Sequence, residues 1–326
     1  MSTTYAQTAD SGVPRLPLGD WIDDGFDWLN DNFEAFFDAL GSGIRSSVSG
    51  LTDLLVAPPA LVLVALLALL AWAVGTWKIG LAAAVGLTLI IAMDQWDNAM
   101  ATLSLVLVAA GAALVIGIPI GILAARSERV SRAVRPAMDL MQTMPAFVWL
   151  VPVVTLFGIG VAPGLVATVI FALPPAVRLT ELGIRQVDAE VVEAGHAFGG
   201  TPRQILRGIQ LPLAMPTVMA GVNQVIMLAL SMAVIAGLVG GGGLGSEVVT
   251  SISRLNLGLG FEAGLSVVVL AIYLDRVTAA LGRRRLGGKS KLRQLRDRSA
   301  ARRAAATNSR DEPATGQEAT KRGSNA

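Results

Sequence analysis

The run Thr217–Val239 (TVMAGVNQVIMLALSMAVIAGLV) carries no charged side chain from end to end, and roughly 20 mainly apolar residues are what a helix needs to cross the hydrocarbon layer of a bilayer. Comparable runs lie at about Leu54–Val74, Trp77–Met93, Met100–Ala125, Met144–Val161, Pro163–Val177 and Phe261–Leu281. Only helices and closed barrels satisfy every backbone polar group in lipid, so these runs predict an all-α polytopic membrane protein with about seven transmembrane helices. Composition agrees: 15% of the residues are charged, against about 25% in an average soluble domain. Two of the runs are brief and contain Pro145, Pro152, Pro163, Pro174 and Pro175. Trp77 and Trp96 bracket another and are expected to sit in the two interfaces as aromatic anchors.

The formal net charge of +2 hides a separation of sign. Residues 1–53 hold nine acids against Arg15 and Arg45, whereas 282–326 hold thirteen Lys/Arg against four acids. Basic connections stay in the cytoplasm. If the N-terminus is outside, every one of the 26 Lys/Arg except Arg15, Arg45 and Arg254 falls inside, which predicts a cytoplasmic C-terminus. The opening MSTTYAQTADSGVPRLPLGD lacks a basic stretch followed by an apolar core, so insertion is expected to rely on internal spans. Zero cysteines and the single His196 exclude disulfides, thiol nucleophiles and clustered Cys/His metal sites, and no metal ligand set is predicted.

Within the acidic end, Leu18, Ile22, Phe26, Leu29, Phe33, Phe36 and Leu40 share one arc at helical spacing, with Asp20, Asp24, Asp27, Asp31 and Asp38 opposite. The segment 18–50 is therefore read as an external amphipathic helix and linker after a flexible stretch 1–17. Its acidic polar face would not be drawn to anionic lipid, so burial of the apolar stripe must hold it. A lipid surface and protein, either this chain or a second copy, both fit. The basic tail 282–326 is expected to be mostly disordered or a frayed helix near the inner leaflet.

Between two of the spans, residues 178–216 are too polar to cross a membrane. Asp188 is placed to cap a helix through AEVVEAGHAF, and Gly199 or Gly200 to stop it. Thr201 with Gln204 forms a capping-box pattern, with Pro202 at the first helical position. Leu211-Pro212 and Met215-Pro216 are expected to end this helix–turn–helix. Glu193, Ala194, Gly195, Gly199, Ile209, Leu211 and Pro212 have the spacing of the EAA loop of bacterial ABC-importer permeases, with Gly195 where a second Ala is usual. Gly there lowers helix propensity by about 1 kcal/mol. The text over 138–160 and 210–245 resembles the permease subunits of glycine betaine/proline import systems, and the likeness covers about 51–281.

The resemblance implies a type I ABC-importer permease domain over 51–281. Its EAA loop docks on a separate ATP-binding subunit, present in two copies, so the seven motif residues above are the expected ATPase-coupling site. Also implied are a second copy of the permease, an external substrate-binding protein and a place in the bacterial cytoplasmic membrane. The cargo would be a compatible solute such as glycine betaine or proline betaine, imported for osmoprotection; choline, carnitine or another small solute is the alternative. No nucleic acid partner is expected. This chain is not expected to be an enzyme or to bind a cofactor, ATP and Mg belonging to the partner.

Two glycine patterns fail as nucleotide motifs. Gly240, Gly242 and Gly245 follow a membrane span instead of a strand, which predicts a flexible or tightly packed external turn, and Gly287-Gly288-Lys289-Ser290 has Arg283 where a phosphate loop needs its first glycine. Gly117 and Gly121 permit close helix approach, expected within one subunit. Asn223 and Ser231 are polar groups at membrane depth, read either as lining a translocation path or as interhelical hydrogen bonds. An ion-gradient-driven transporter, the rival function, would need an intramembrane carboxylate or basic relay, absent from the expected second, third, fourth and sixth spans.

Overall fold

Residues that are apolar in long runs, punctuated by proline, fold into twelve α-helices over the described residues. They are α1 (Leu18–Val56), α2 (Ala60–Val74), α3 (Trp77–Ala92), α4 (Trp96–Arg126), α5 (Glu128–Thr143), α6 (Ala146–Phe157), α7 (Val161–Arg185), α8 (Ala189–Ala197), α9 (Pro202–Ile205), α10 (Leu211–Ala236), α11 (Gly243–Ser253) and α12 (Leu257–Asn308). The computed structural model describes residues 17–308, with side chains as far as residue 282. Residues 1–16 of the expected flexible stretch 1–17, and the last part of the tail, 309–326, lie outside the described residues. Over 283–308 the backbone of α12 continues as helix.

Four helical stretches are individually long and apolar enough to cross a membrane: α4, α7, the continuous stretch Pro202–Val239, and Leu257–Gly282 of α12. The other three expected spans differ from straight crossings. The chain bends by 100° between α1 and α2, at Pro58-Pro59, and by 101° between α5 and α6, at Met144-Pro145. Proline removes an N–H and drives its predecessor out of the helical region, as the extended Met144 (φ −72°, ψ 134°) shows. The remaining one, α3, has 16 residues. In the opposite sense α7 runs through Pro174 and Pro175 to Arg185 instead of stopping at Val177, and α10 begins at Leu211 instead of Thr217. Trp77 is exposed as an interfacial anchor should be, but Trp96 is buried in the core, contrary to expectation.

The centre is built from α4, α7 and α10, which meet along rows of small residues. A Cβ added at Gly117 would lie 2.5 Å from the Ala176 Cβ, and one at Gly121 only 2.6 Å from the Val177 carbonyl oxygen. The paired glycines of α4 therefore pack inside one subunit, on α7. On its other side α7 meets α10 at Gly164 against Ala236, at Gly183 against Ala214 and Thr217, and at Gly221 against Leu179. Gly240 and Gly242 take left-handed φ values of 79° and 77°. The turn they form is sealed by the Leu244 N–H, which donates to Thr102 Oγ1 at 2.8 Å. This is a packed turn with no room for a phosphate: a Cβ at Gly243 would lie 2.4 Å from the same oxygen.

The helix α1 is divided at Phe33, whose φ of −126° breaks the helical run. Beyond the break it packs on the bundle through Gly41, the buried Val48 and an edge-to-face contact of Phe37 with Phe157, centroids 5.5 Å apart. Before and around it, Leu18, Ile22, Phe33, Phe36 and Leu40 remain exposed. Among the described residues, no surface of this chain covers these five stripe residues.

The glycine contacts generate a test. Gly121→Ala places a methyl against backbone, an overpacking of about 1–3 kcal/mol. It should lower the thermal midpoint of the detergent-solubilised chain, whereas Gly111→Ala, with nothing within 4 Å of the added Cβ, should not.

Candidate functional site

The segment joining α7 to α10 narrows to residues 186–210 and folds as the sequence signals require. Asp188 Oδ1 accepts the Glu190 N–H at 3.0 Å and starts α8. Gly199, at φ +77°, stops it, and the Gly200 N–H donates to the Gly195 carbonyl at 3.1 Å. The Thr201 N–H donates to Gln204 Oε1 at 2.8 Å, while the Gln204 N–H returns to Thr201 Oγ1 at 3.4 Å, closing the capping box. The expected stop at Leu211-Pro212 and Met215-Pro216 does not occur. Residues 206–210 widen into a π-helical turn, in which the Leu211 N–H reaches the Leu206 carbonyl, and the helix passes through both prolines into α10. A π-turn shifts the hydrogen-bond register by one residue, which accommodates the N–H that Pro212 lacks.

The seven residues singled out from the sequence divide into two sets. Glu193, Ala194, Gly199 and Pro212 are exposed; Gly195, Ile209 and Leu211 are turned partly inward. None of α8 is buried. Gly195, the departure from the usual motif, has a local reason: an added Cβ would stand 2.7 Å from Ile209 Cδ1 and 3.4 Å from Ile205 Cγ1. Ile205 itself is buried beneath α8. The glycine thus lets α8 lie close on the turn that feeds α10. Phe198 was not among the expected site residues, yet it is 93% exposed at the tip of α8. An aromatic side chain placed before the terminating glycine and outside any apolar stripe was the available signal. The outer face is bipolar, with Asp188, Glu190 and Glu193 on or beside α8 and Arg203 and Arg207 exposed beyond it.

Immediately before this segment, the end of α7 is tied to α4 and α5. Glu181 is buried, its Oε1 accepts from Ser131 Oγ at 2.7 Å and Arg135 at 3.3 Å, and it forms an ion pair with Arg185 Nε at 3.0 Å. Arg185 also donates to Glu128 at 3.0 Å and to the Ala124 carbonyl at 2.9 Å, and Arg178 pairs with Asp139. A carboxylate removed from water is tolerated where several donors converge on it, as here. These arginines were counted only as topology markers; the i,i+4 spacing of Glu181 and Arg185 was the signal available for half of the cluster.

Within the membrane-spanning part, Asn223 and Ser231 have different partners. Asn223 Nδ2 donates to Asp275 Oδ1 at 3.0 Å and its Oδ1 accepts from Thr278 at 2.7 Å, which bridges α10 to α12. Ser231 bonds back to the Met227 carbonyl at 3.0 Å and lies on an exposed stripe with Gln224 and Met227. Among the described residues there is no group of three or more His, Asp or Glu able to hold a metal ion.

Comparison with known proteins places this arrangement. Residues 117–287 match the family described as binding-protein-dependent transport system inner membrane component. The glycine betaine/proline betaine transport system permease protein ProW of Escherichia coli (strain K12) is 50% identical, over 82% of this chain and 76% of that protein. The glycine betaine transport system permease protein OpuAB of Bacillus subtilis (strain 168) is 49% identical, over 82% and 94%. More distant is the choline transport system permease protein OpuBB of the same strain, 30% identical over 60% of this chain. Among solved structures, a chain of the MetNI methionine ABC transporter in an inward-facing conformation aligns with a TM-score of 0.53 at 23% identity, covering 56% of this chain and 92% of that one, which shows a shared fold. An exposed, doubly capped helix between two membrane helices, the match over 117–287 and half-identity to two permeases lead to one conclusion: the chain belongs to the binding-protein-dependent transport inner membrane components.

Proposed function

We propose that this chain is the translocating subunit of an ATP-driven importer of glycine betaine, accepting proline betaine as a close analogue. The relatives at about half identity over most of the chain carry those solutes in their names, whereas the choline relative is far more distant. The observation that carries the mechanism is the exposure of α8 with Phe198 at its tip. In this reading the ATP and Mg sit on two copies of a separate ATP-binding subunit, and this chain catalyses no chemistry. A pocket on each ATPase takes Phe198 and Ala194, while Glu193 meets a basic group or a helix N-terminus there. Because the turn 202–210 is continuous with α10, and Glu181 and Arg185 tie α7 to α5 and α4, a displacement of α8 moves whole helices and not just a loop.

A second copy of the chain faces this one across the path, and an external binding protein delivers the solute. The stripe of Gln224, Met227 and Ser231 lines the path, with Asn223 beside it holding α12 in place. The positive-inside count supports a cytoplasmic C-terminus and an external N-terminus in the bacterial inner membrane.

Two measurements test this reading. Phe198→Ala should insert normally but weaken ATPase docking by about 2 kcal/mol, roughly thirtyfold in affinity, and Glu193→Ala should lose uptake at unchanged membrane abundance. Co-purification of the ATPase at wild-type yield together with wild-type uptake would remove α8 from the coupling role. In an osmotically stressed strain without other importers and supplied with the partner subunits, labelled glycine betaine should enter saturably and be competed by proline betaine better than by choline. Uptake competed best by choline would reassign the cargo.

A further inference from the structure

Away from α8 and the proposed path, α3 and α12 form an outward-facing groove of about 390 Å³, within the size range of small-ligand sites. The two helices run antiparallel in a register that their contacts fix. A Cβ on Gly75 would lie 3.5 Å from Ala280, and one on Gly86 2.9 Å from Val269. Counting inward from both contacts brings Lys78 of α3 level with Val277 of α12, the neighbour of Arg276. Both side chains line the groove and both are exposed. Below them the walls are apolar: Ile79, Ala82 and Gly86 on one side, Val269 and Ile272 on the other. The hydroxyl of Tyr273, also in the lining, is turned inward and donates to the Leu67 carbonyl at 3.3 Å, so it adds no polar group to the groove floor.

The charge at the mouth is unbalanced. Lys78 makes no ion pair among the described residues. Arg276 has only the carboxylate of its neighbour Asp275, at 3.9 Å, and the other oxygen of that carboxylate already accepts from Asn223. Trp72 and Trp77 are exposed close by, and indoles collect at the headgroup level of a bilayer. This mouth is at the coupling-loop end of the bundle, since Gly282 of α12 packs against Met219 near the start of α10. A cationic pair above an apolar slot open to lipid matches one kind of molecule: phosphate at the top, hydrocarbon beneath.

We propose that the groove between α3 and α12 is a binding site for a single phospholipid with an anionic headgroup, its phosphate held between Lys78 and Arg276 and one acyl chain lying along Ala82 and Gly86. A free phosphate would use the two cations and leave the slot empty; a zwitterionic lipid would fill the slot and gain less from the cations.

The test uses the full-length chain reconstituted in nanodiscs of equal phosphatidylglycerol and phosphatidylcholine, with the lipid retained after mild detergent extraction counted by mass spectrometry. Wild type should retain phosphatidylglycerol in excess. Each cation near an anionic headgroup is worth about fivefold in binding, so Lys78→Gln or Arg276→Gln should lower that excess about fivefold and the pair should abolish it. Ala82→Phe, a change at an exposed position that fills the slot, should reduce retention with both cations present. Inorganic phosphate at matched ionic strength should not displace the lipid. An excess that survives the double substitution would overturn the proposal, as would displacement by phosphate, which identifies a bare anion site. Indifference to Ala82→Phe would also overturn it, because the slot would then be covered by a second copy or unused.

Discussion

Close backbone approach between α4, α7 and α10 is the constraint on which the other features rest. Hydrocarbon surrounding a membrane protein is as apolar as its side chains, so helices gain little by hiding leucines from it and associate through dispersion contact over short distances. Gly117 and Gly121 on α4, Gly164 and Gly183 on α7 and Gly221 on α10 remove the Cβ atoms that would hold the helices apart. Each contact lies on a different level, so α7 is gripped along most of its length from two sides. Everything attached to α7 inherits that position, including α8 at its end and the cluster around Glu181.

The polar end of the bundle is organised differently. There the fastening is by charge: one buried carboxylate receives a hydroxyl and two guanidinium groups drawn from α5 and α7, and Arg185 reaches back to the end of α4. Packing by glycine is insensitive to salt, whereas the partly exposed members of this cluster are screened by it. Near Glu181 both fastenings are present, glycine contacts at Gly121 and Gly183 and the charge cluster, and the segment 186–210 hangs from that end.

Much of this was legible in the residues because the signals were local. The caps at Asp188 and Thr201 and the stop at Gly199 depend on a few neighbouring residues, and each forms as read. The signals that misled were those whose outcome depends on surroundings. Pro145 and Pro58-Pro59 break helices where no neighbour restores the lost bond, whereas Pro174 and Pro175 are buried within α7, and Pro212 is absorbed by a π-turn. Composition cannot tell these cases apart. The helix α5 escaped notice because its charged face resembled a loop of topology-setting arginines, and its inward residues, such as Ser131 and Met138, mean nothing until α7 is beside them. Depth alone does not show that Asn223 bonds to α12 while Ser231 bonds back to its own helix.

Pro174 and Pro175 have a final consequence for how motion travels. Neither has an N–H to give, so the carbonyls of Ile170 and Phe171 lose the partners four residues ahead, and α7 lacks two successive rungs near its midpoint. A beam notched at its centre yields there first. The half toward Arg185 is held both by charge and by the contacts at Gly121, Gly183 and Gly221; the half toward Val161 is gripped against α10 at Gly164. Between its two held ends, the backbone ladder of α7 is interrupted at Pro174 and Pro175 alone among its residues, where Gly117 and Gly221 of the flanking helices pack.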